Sequence, residues 1–374
     1  MRHALDIQHY TDPRTFELEQ QKVFGKLWLF AGFTSMVAQR NQFFTRRFAG
    51  VPVLIQRTDA GIRAFINQCP HRKSAIQTSS SGVRPLVCPY HAWTFGPEGE
   101  LRSTPNAPLY QFGEAEKSAL CLHSLPVQVV GQLILVNLSE QPLALSEQFS
   151  EDMLEQLRVV SGHLDTQMVY SCHRVRYNWK LNMENVKDFN HVPFIHSQTF
   201  SPLIKSEAFR SPVSEPLQSV TQRLSCGVPA KLSALSYCSR APMSPASGWF
   251  AKDCDRYGDG AFYYNWYLYP NVNFSSVKGE YFTLQQYDPV GPGESDYHLW
   301  VMTAKRKDTR TDFSALLSTS IRAERRVIAE DTQVLEQMQA GFGPYSGQVC
   351  HGDYEGMLIE QHLWYRANVL GEQP

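Results

Sequence analysis

The hydrophobic positions of the chain change their spacing near residue 42 and again near residue 150. Between about 42 and 140, short β-prone runs alternate with Gly, Pro and Ser turns; examples are VPVLIQR, RAFIN and LILVNL. Such alternation is typical of antiparallel strands joined by tight turns. We therefore predict a compact all-β domain over 41–150. Ahead of it, Thr-Asp-Pro at 11–13 is a helix-start signal and predicts a helical segment within 1–40.

The second part of the chain combines helical and strand-like patterns. A helical stretch is expected at 150–165 and a long helix at about 313–340. Between them lie three aromatic-rich strand patterns, AFYYNWYLYP, GEYFTLQQYDPV and YHLWVMTAKR. Strands in succession with helices segregated around them predict an α+β domain over 151–374, with an antiparallel sheet flanked by helices rather than a doubly wound sheet.

Composition narrows the classes of function. Of the 374 residues, 43% are hydrophobic and 19% are charged, and the net charge is −1, so nothing points to nucleic acid. No apolar run is long enough to span a membrane, and the first residues lack a signal-peptide core, so a cytoplasmic protein is expected. Neither GxGxxG nor a P-loop occurs, so flavin, nicotinamide or ATP binding has no support. The eight cysteines are expected to be thiols, and those outside the motif below are expected to be small buried residues.

Two cysteines and two histidines form the most informative pattern. Cys69 and His71 make a C-x-H pair, and Cys88 and His91 make a C-x-x-H pair in the segment CPYHAWTF. Such a set can hold one zinc or a [2Fe-2S] cluster whose two irons carry cysteine and histidine ligands respectively. Each arm here donates one Cys and one His, and each carries a proline that suits a loop. This arrangement favours the iron–sulfur cluster over zinc.

The segment from Asn185 to His196 is the second informative pattern. On a helix, Asp188 and His191 would share a face, and Pro193 should interrupt that helix so that His196 can fold back towards His191. Two histidines and one carboxylate make the facial triad of non-haem ferrous oxygenases. Taken alone, a pair of histidines at this spacing is more often two ordinary histidines than two metal ligands.

The carboxylate of this triad has two candidates. One is Asp188 itself, and the other is Asp331, which lies in an apolar stripe of the long C-terminal helix. Glu330, one residue earlier, is predicted to face another side of the helix and is the weaker candidate. An aspartate in such a stripe can also pair with an arginine, and Arg325 and Arg326 are close in sequence.

Together the two patterns resemble the Rieske non-haem iron oxygenases, specifically the terminal oxygenase α subunits of ring-hydroxylating and demethylating systems. The resemblance covers nearly the whole chain. It implies an N-terminal segment (1–40) that packs on the catalytic domain, a Rieske domain (41–150) and a mononuclear iron domain of helix-grip type (151–374). It implies that one [2Fe-2S] cluster is held by Cys69, His71, Cys88 and His91, and that one Fe(II) is held by His191, His196 and Asp331.

The same resemblance gives Asp188 a role between the two metal centres. In this family the equivalent carboxylate links a cluster histidine of the neighbouring subunit, here His91, to an iron-ligating histidine, here His191. A head-to-tail ring that closes as a homotrimer is therefore expected. Two positions depart from the usual glycines of the cluster loops, namely Lys73 and Ala92. We expect from Ala92 that its backbone does not need a positive φ angle.

The resemblance also implies the reaction and the partners. Electrons from NAD(P)H would arrive through a separate reductase, with or without a ferredoxin, and would be used with O2 on a small substrate. An aspartate at 188 is more like the aromatic-substrate branch, so hydroxylation or dihydroxylation of an aromatic compound is the first expectation. O- or N-demethylation is the alternative. A Rieske electron-transfer protein or a zinc-stabilised binding module would belong to another class.

Overall fold

A computed structural model describes residues 5–205, 231–244, 248–343, 347, 349–352 and 355–372. The chain forms two compact units. The smaller unit comprises 24–143, and the larger unit combines 1–23 with 144–374. These limits differ from the predicted boundaries at 40 and 150. The first strand, at 29–33, pairs with the strand at 133–136, and this pairing ties residues 24–40 to the smaller unit.

Helices and strands account for most of the described residues. The α-helices are α1 (Pro13–Glu19), α2 (Glu114–Ala119), α3 (Leu145–Gln148), α4 (Glu151–Gly162), α5 (Trp179–Lys187), α6 (Val192–Ile195), α7 (Ser314–Gly341) and α8 (Gly356–Tyr365). The strands of the smaller unit are β1 (Leu29–Phe33), β2 (Gln42–Phe48), β3 (Val51–Thr58), β4 (Gly61–Ile66), β5 (Ser81–Val83), β6 (Thr94–Phe95), β7 (Leu101–Ser103), β8 (Ser124–Leu125), β9 (Val127–Val130) and β10 (Leu133–Val136). The strands of the larger unit are β11 (Leu164–Val175), β12 (Tyr237–Pro242), β13 (Cys254–Asp255), β14 (Phe262–Leu268), β15 (Val272–Val277), β16 (Tyr281–Gly291) and β17 (Glu294–Arg306).

The smaller unit is built of antiparallel strands, as the alternating pattern predicted. Its sheets have the orders β5-β2-β3-β4-β8, β1-β10-β9 and β6-β7. Phe43, Leu54 and Phe65 project from three adjacent strands into one core, and this core also contains Cys69 and Cys88. Because close-packed cores resist displacement, the two thiols are anchored in a rigid part of the unit.

The larger unit is built around one antiparallel sheet of order β11-β17-β16-β15-β14-β12, with β13 paired to the end of β17. Helix α5 packs against β15 and β16, and α7 packs against β11 and β17. Leu317, Ile328 and Leu335 are the residues of α7 that are buried. Their spacing places them on one side of the helix. The predicted α+β class, with a sheet flanked by helices, is confirmed.

Local signals explain the helix starts that the sequence predicted. Asp12 caps α1 by accepting a hydrogen bond from the N–H of Arg14, and Pro13 occupies the first helical position. The side chain of Ser150 accepts a hydrogen bond from the N–H of Met153 at the start of α4. Both caps satisfy N–H groups that lack a partner inside the helix.

Two further expectations can be compared with the structure. Among the described residues, none of the helices is long and apolar enough to cross a membrane. Cys254 is buried, but Cys172 and Cys350 are exposed, so the expectation that all of the additional cysteines are buried is wrong. Cys226 lies outside the described residues.

Candidate functional site

The two Cys/His loops of the smaller unit share one backbone pattern. In the first, the N–H of Lys73 donates to the carbonyl of Cys69, and the N–H of Cys69 donates to Ser74. In the second, the N–H of Ala92 donates to the carbonyl of Cys88, and the N–H of Cys88 donates to Trp93. Each cysteine is therefore held at the start of a closed turn.

The fourth residue after each cysteine adopts a left-handed conformation. The φ angle is +61° at Lys73 and +54° at Ala92. Our expectation that Ala92 needs no positive φ is therefore wrong. Closing the turn on the cysteine carbonyl requires this conformation whichever residue is present, and the chain adopts it without glycine at either position.

The side chains of these loops converge at one place. Cys69 and Cys88 are both buried. The His71 and His91 rings lie 4.6 Å apart between centroids, and His71 stacks on Trp93 at an interplanar angle of 5°. The buried Nδ1 atom of His71 has no hydrogen-bond partner among the residues that the structure describes. Two buried thiols and an unpartnered imidazole nitrogen fit a metal centre, since a buried polar atom without a partner is otherwise costly.

Burial changes the proton affinity of these groups in the metal-free chain. It raises the pKa of the Cys69 thiol to about 11, helped by the neighbouring Cys88. It lowers the pKa of His71, and the nearby His91 and Arg72 lower it further. A neutral imidazole is the form that binds metal, whereas the thiol must lose its proton when a metal enters.

The second set of predicted residues lies in the larger unit, beyond the end of α5. That helix ends at Lys187, and Asp188 already has extended backbone angles. His191 precedes α6, Pro193 lies in the first turn of α6, and His196 follows its last residue. The helix break therefore comes before Asp188, and not at Pro193 as predicted. Proline is tolerated in the first turn because its missing N–H would be unpaired there.

The structure brings His191, His196 and Asp331 together. The Oδ1 atom of Asp331 lies 2.9 Å from Nε2 of His196 and 3.6 Å from Nε2 of His191. One ligand atom from each of the three residues lies within 4.8 Å of the other two. Oδ1 of Asp331 is buried and faces these two ring nitrogens. A carboxylate and two imidazoles directed at one point fit a first-row divalent metal with open positions.

Glu330, predicted to be the weaker candidate for the third ligand, is not in the converging set, but it contacts His196 from the other side of the ring. Its Oε2 atom lies 2.7 Å from Nδ1 of His196, the ring nitrogen opposite the metal-facing one. The same oxygen accepts a hydrogen bond of 2.7 Å from the Thr199 hydroxyl. A carboxylate on the distal nitrogen fixes the orientation and tautomer of a metal-binding histidine. The adjacent Glu-Asp pair in the sequence could have pointed to Glu330, whereas no sequence feature pointed to Thr199.

The two acids also set the charge of His196. Burial by itself would lower the pKa of His196, but Asp331 and Glu330 raise it above its ordinary value in the metal-free chain. A bound metal would replace that proton, because the same nitrogen cannot hold both.

Asp188 lies beside His191 without binding at the same point. Its Oδ2 atom is 3.5 Å from Nδ1 of His191, and its Oδ1 atom accepts a hydrogen bond of 2.8 Å from the N–H of Asn190. Nδ1 of His191 is buried and makes no hydrogen bond in the described chain. Asp188 is thus placed on the distal nitrogen of one histidine, as Glu330 is on the other.

A pocket of about 360 Å³ opens onto this set. Of the aromatic residues in the three strand patterns, Tyr263 and Tyr281 line it, whereas Trp266 and Tyr267 are core residues. The Ser- and Pro-containing stretch 197–250 contributes in part to the pocket wall. Phe200 and Leu203 do line the pocket, whereas 206–230 and 245–247 lie outside the described residues.

Comparison with known families divides the chain in the same way. Residues 27–113 match the Rieske [2Fe-2S] domain, and residues 157–371 match the ring hydroxylating alpha subunit (catalytic domain). These two domains imply a Rieske cluster and a mononuclear iron. A zinc-stabilised module and an electron-transfer protein without an oxygenase domain are thereby disfavoured.

Curated relatives include two kinds of monooxygenase. The chain is 31% identical to the glycine betaine monooxygenase oxygenase subunit of Chromohalobacter salexigens over 57% of this chain and 48% of that protein. It is 27% identical to the chloroplastic choline monooxygenase of Beta vulgaris over 89% of this chain and 69% of that protein. The matched part thus spans about half the length of the first relative.

Solved structures show the same fold at lower identity. The quaternary ammonium Rieske monooxygenase CntA superposes with a TM-score of 0.74 at 20% identity, covering 98% of this chain and 95% of that one. Naphthalene 1,2-dioxygenase from Rhodococcus sp. superposes with a TM-score of 0.73 at 16% identity, covering 98% and 94%. By its catalytic-domain match, its Rieske domain and its fold, the chain belongs to the ring-hydroxylating oxygenase alpha subunits.

Proposed function

We propose that the chain is the terminal oxygenase of a Rieske monooxygenase system that acts on a small organic ammonium compound. The observation that carries this proposal is the His191, His196 and Asp331 set at the end of a pocket, in a chain whose relatives are named as choline and glycine betaine monooxygenases. One oxygen atom of O2 would enter a C–H bond of the substrate, and the other would leave as water. This consumes two electrons and two protons.

The metal ligands are assigned to the residues that converge in each unit. Cys69, His71, Cys88 and His91 would hold the [2Fe-2S] cluster, and His191, His196 and Asp331 would hold Fe(II). When bound, the cluster supplies single electrons, and the mononuclear iron provides the place where O2 is reduced. The electrons would come from NAD(P)H through a separate reductase, with or without a ferredoxin, since the sequence has no nicotinamide or flavin motif.

The residues around the second set would hold it in one geometry. Glu330, which accepts a hydrogen bond from Thr199, fixes the His196 ring through its distal nitrogen, so that Nε2 points at Asp331. The pocket contributes apolar groups from Phe200, Val277 and Val327 beside this set. A substrate there would be oriented and largely shielded from water, which lowers the entropic part of the barrier.

Asp188 is proposed to carry the link between subunits of a homotrimer. Its carboxylate is partly exposed, and it lies beside an unpartnered nitrogen of His191. His91 is also partly exposed on the smaller unit. A partner's His91 could therefore donate to Asp188 and complete a chain of hydrogen bonds from one subunit's cluster to the next subunit's iron.

Replacing Asp188 by Asn should keep both metals and slow electron transfer. The amide has one accepting oxygen where the carboxylate has two. The rate of single-turnover oxidation of the prereduced cluster should therefore fall about 10- to 100-fold. Iron and sulfide content and the sedimentation of a trimer are measured alongside. Asp296→Asn, which changes a surface carboxylate paired with Arg174, is the matched control. Full activity of Asp188→Asn would remove the proposed role.

The substrate class is tested with purified holoprotein, a surrogate reductase, NADH and ¹⁸O2. We expect that choline, glycine betaine or carnitine gives NADH consumption coupled to product with one labelled oxygen atom. Naphthalene and benzoate serve as the aromatic comparison. Two labelled atoms in a diol from an aromatic compound, without oxidation of any ammonium compound, would contradict the proposal.

Aromatic hydroxylation remains a second candidate. It is favoured by the aspartate at position 188, which resembles the aromatic-substrate branch of the family, and by the fold shared with naphthalene 1,2-dioxygenase. The ammonium reading has the stronger support because both curated relatives described above act on such compounds by name.

A further inference from the structure

The floor of the pocket consists of cross-strand rows on β14, β15 and β16. The first row is Tyr263, Val277 and Tyr281, the second is Asn265, Ser275 and Thr283, and the third contains Asn273 and Gln285. Side chains in one row are direct neighbours across the sheet. The lining side chains therefore change from mainly aromatic in the first row to amides in the third.

The polar groups of the second and third rows largely satisfy one another. Ser275 pairs with Thr283 at 2.7 Å, and Asn273 donates to Asn265. Gln285 accepts from the hydroxyl of Tyr287 at 2.6 Å. Groups already paired in this way gain little from a ligand, because each new hydrogen bond would replace an existing one.

The aromatic row differs, because its buried hydroxyl faces a pocket-lining carboxylate on α7 instead of another group of the sheet. Tyr281 is only 8% exposed, and its hydroxyl faces the Glu324 carboxylate and Ser320 at hydrogen-bonding range. Its ring lines the pocket together with Tyr263 and Phe200, whose rings meet edge to face at 5.0 Å. A carboxylate held by a tyrosine hydroxyl among aromatic rings lacks only a positive charge, which a bound molecule can supply.

Glu324 faces this row from α7. It lines the pocket and lies close to the Tyr281 hydroxyl. Seven residues separate it from Asp331, which is about two helical turns or roughly 10 Å on the same side of the helix. Glu324 therefore lies about two helical turns before Asp331, on the same wall of the pocket.

Among the described residues that line the pocket, Glu324 is a carboxylate that neither joins the metal set nor pairs with a cation. Asp331 belongs to the metal set, and Asp188 accepts from the backbone of Asn190. Burial raises the pKa of Glu324 to about 7, and no cation among the described residues offsets this. Arg326 also lines the pocket, but it is exposed and lies about 200° around the helix from Glu324, which places it at the rim.

We propose that Glu324, the Tyr281 hydroxyl and the rings of Tyr263 and Phe200 bind the ammonium group of the substrate. The carboxylate supplies the charge, and the ring faces supply cation–π attraction in a site with little water. This inference rests on the proposed function, because it names the residues that select its substrate class. It makes Glu324 the residue that determines specificity for a cation.

The position of Glu324 also constrains the substrate. The ammonium group would sit near one end of the pocket, and the oxidised carbon would lie at the other end, beside His191, His196 and Asp331. The separation along the helix leaves room for a few bonds between the two. A substrate whose carbon chain extends away from its ammonium nitrogen fits better than one that consists of the ammonium group alone.

The test compares choline with 3,3-dimethylbutan-1-ol, which has the same shape and carries carbon in place of the charged nitrogen. Binding to the oxidised holoprotein is measured by calorimetry, without reductase or NADH. We expect wild-type protein to bind choline at least tenfold more tightly than the alcohol. Glu324→Gln should lose at least tenfold in choline affinity, with less than a twofold change for the alcohol.

Two control variants distinguish a loss of choline recognition from a loss of correct folding. Glu336→Gln changes a carboxylate on the same helix that pairs with Arg176 outside the pocket, and it should bind choline as wild type does. Glu324→Asp should retain part of the preference for choline. Iron content and cluster absorbance are measured for each variant, so that a misfolded protein is recognised.

The outcomes distinguish this inference from the proposed function. Equal binding of the two probes by wild-type protein, or an unchanged preference in Glu324→Gln, would overturn the role of Glu324 even if ammonium compounds are oxidised. A choline preference that depends on Glu324 would support the inference even if turnover with the surrogate reductase fails.

Discussion

The two sets of proposed metal ligands are built in different ways. In the smaller unit, each Cys/His pair belongs to one short loop, which is closed by hydrogen bonds between a cysteine and the residues four and five positions later. In the larger unit, two histidines flank a single turn of helix, while their carboxylates come from α7. Glu330 is 134 residues from the histidine that it orients.

The difference shows which interactions each site depends on. A loop closed by its own backbone keeps its ligands together over a short distance in sequence. A set assembled from α6 and α7 depends on the packing of both helices and on the sheet beneath them. We expect the first set to depend mainly on turn conformation and the second mainly on tertiary packing and on second carboxylates such as Glu330.

The largest effects are expected from removing one ligand of each set. Cys69→Ser should lose the cluster absorbance and nearly all acid-labile sulfide while keeping about one iron per chain. His196→Ala should keep two irons with sulfide and lose the mononuclear one. Independent loss would support two separately built sites. If Cys69→Ser also empties the second site, the comparison between local and tertiary assembly fails.

Glu330→Gln should weaken iron binding without changing the cluster. Loss of an outer carboxylate on a metal-binding histidine costs about 10- to 100-fold in affinity. Dialysis against a chelator, followed by iron analysis, measures the retention. Glu336→Gln is the control on the same helix. Retention of iron by Glu330→Gln equal to that of wild type would show that packing alone orients His196.

As the pH is lowered, Fe(II) binding at the second site should begin to weaken at a pH above the ordinary pKa of histidine. Asp331 and Glu330 raise the pKa of His196 against the effect of burial, so the protonated, metal-excluding form persists to higher pH. Below that pKa the affinity should fall about tenfold per pH unit. Anaerobic Fe(II) titrations at several pH values measure this. In Glu330→Gln the fall should begin at lower pH; an unchanged onset would contradict the assigned cause.

The smallest effect is expected from relieving the backbone strain at the left-handed residue of the second Cys/His loop. Ala92 has a φ of +54°, which costs an L-residue about 1 kcal/mol or more. Ala92→Gly should raise the midpoint temperature of thermal cluster bleaching by about 2–4 °C. The backbone strain that glycine relieves in the folded state exceeds the free energy by which its extra conformational entropy stabilises the unfolded state. Ala75→Gly, at a residue without positive φ, should not raise it. Equal shifts in both variants would contradict the explanation.

The sequence predicted what depends on short spacing. The Cys/His pairs, the His191 and His196 pair, the α1 and α4 starts and the α+β class were all readable from patterns a few residues long. The α7 stripe also singled out Asp331, because a carboxylate among apolar helix positions needs a partner. The structure brings that side chain within 2.9 Å of His196.

Only the tertiary structure decided the rest. Glu330 meets His196 and Thr199 across separations of 134 and 131 residues. The aromatic row and Glu324 come together only because residues of β14 to β16 and of α7 line one pocket. The left-handed turn at Ala92 was missed because residue type predicts φ poorly when a turn's hydrogen bonds impose it. Sequence patterns encode contacts within a turn or a strand, whereas contacts between distant elements depend on how those elements pack.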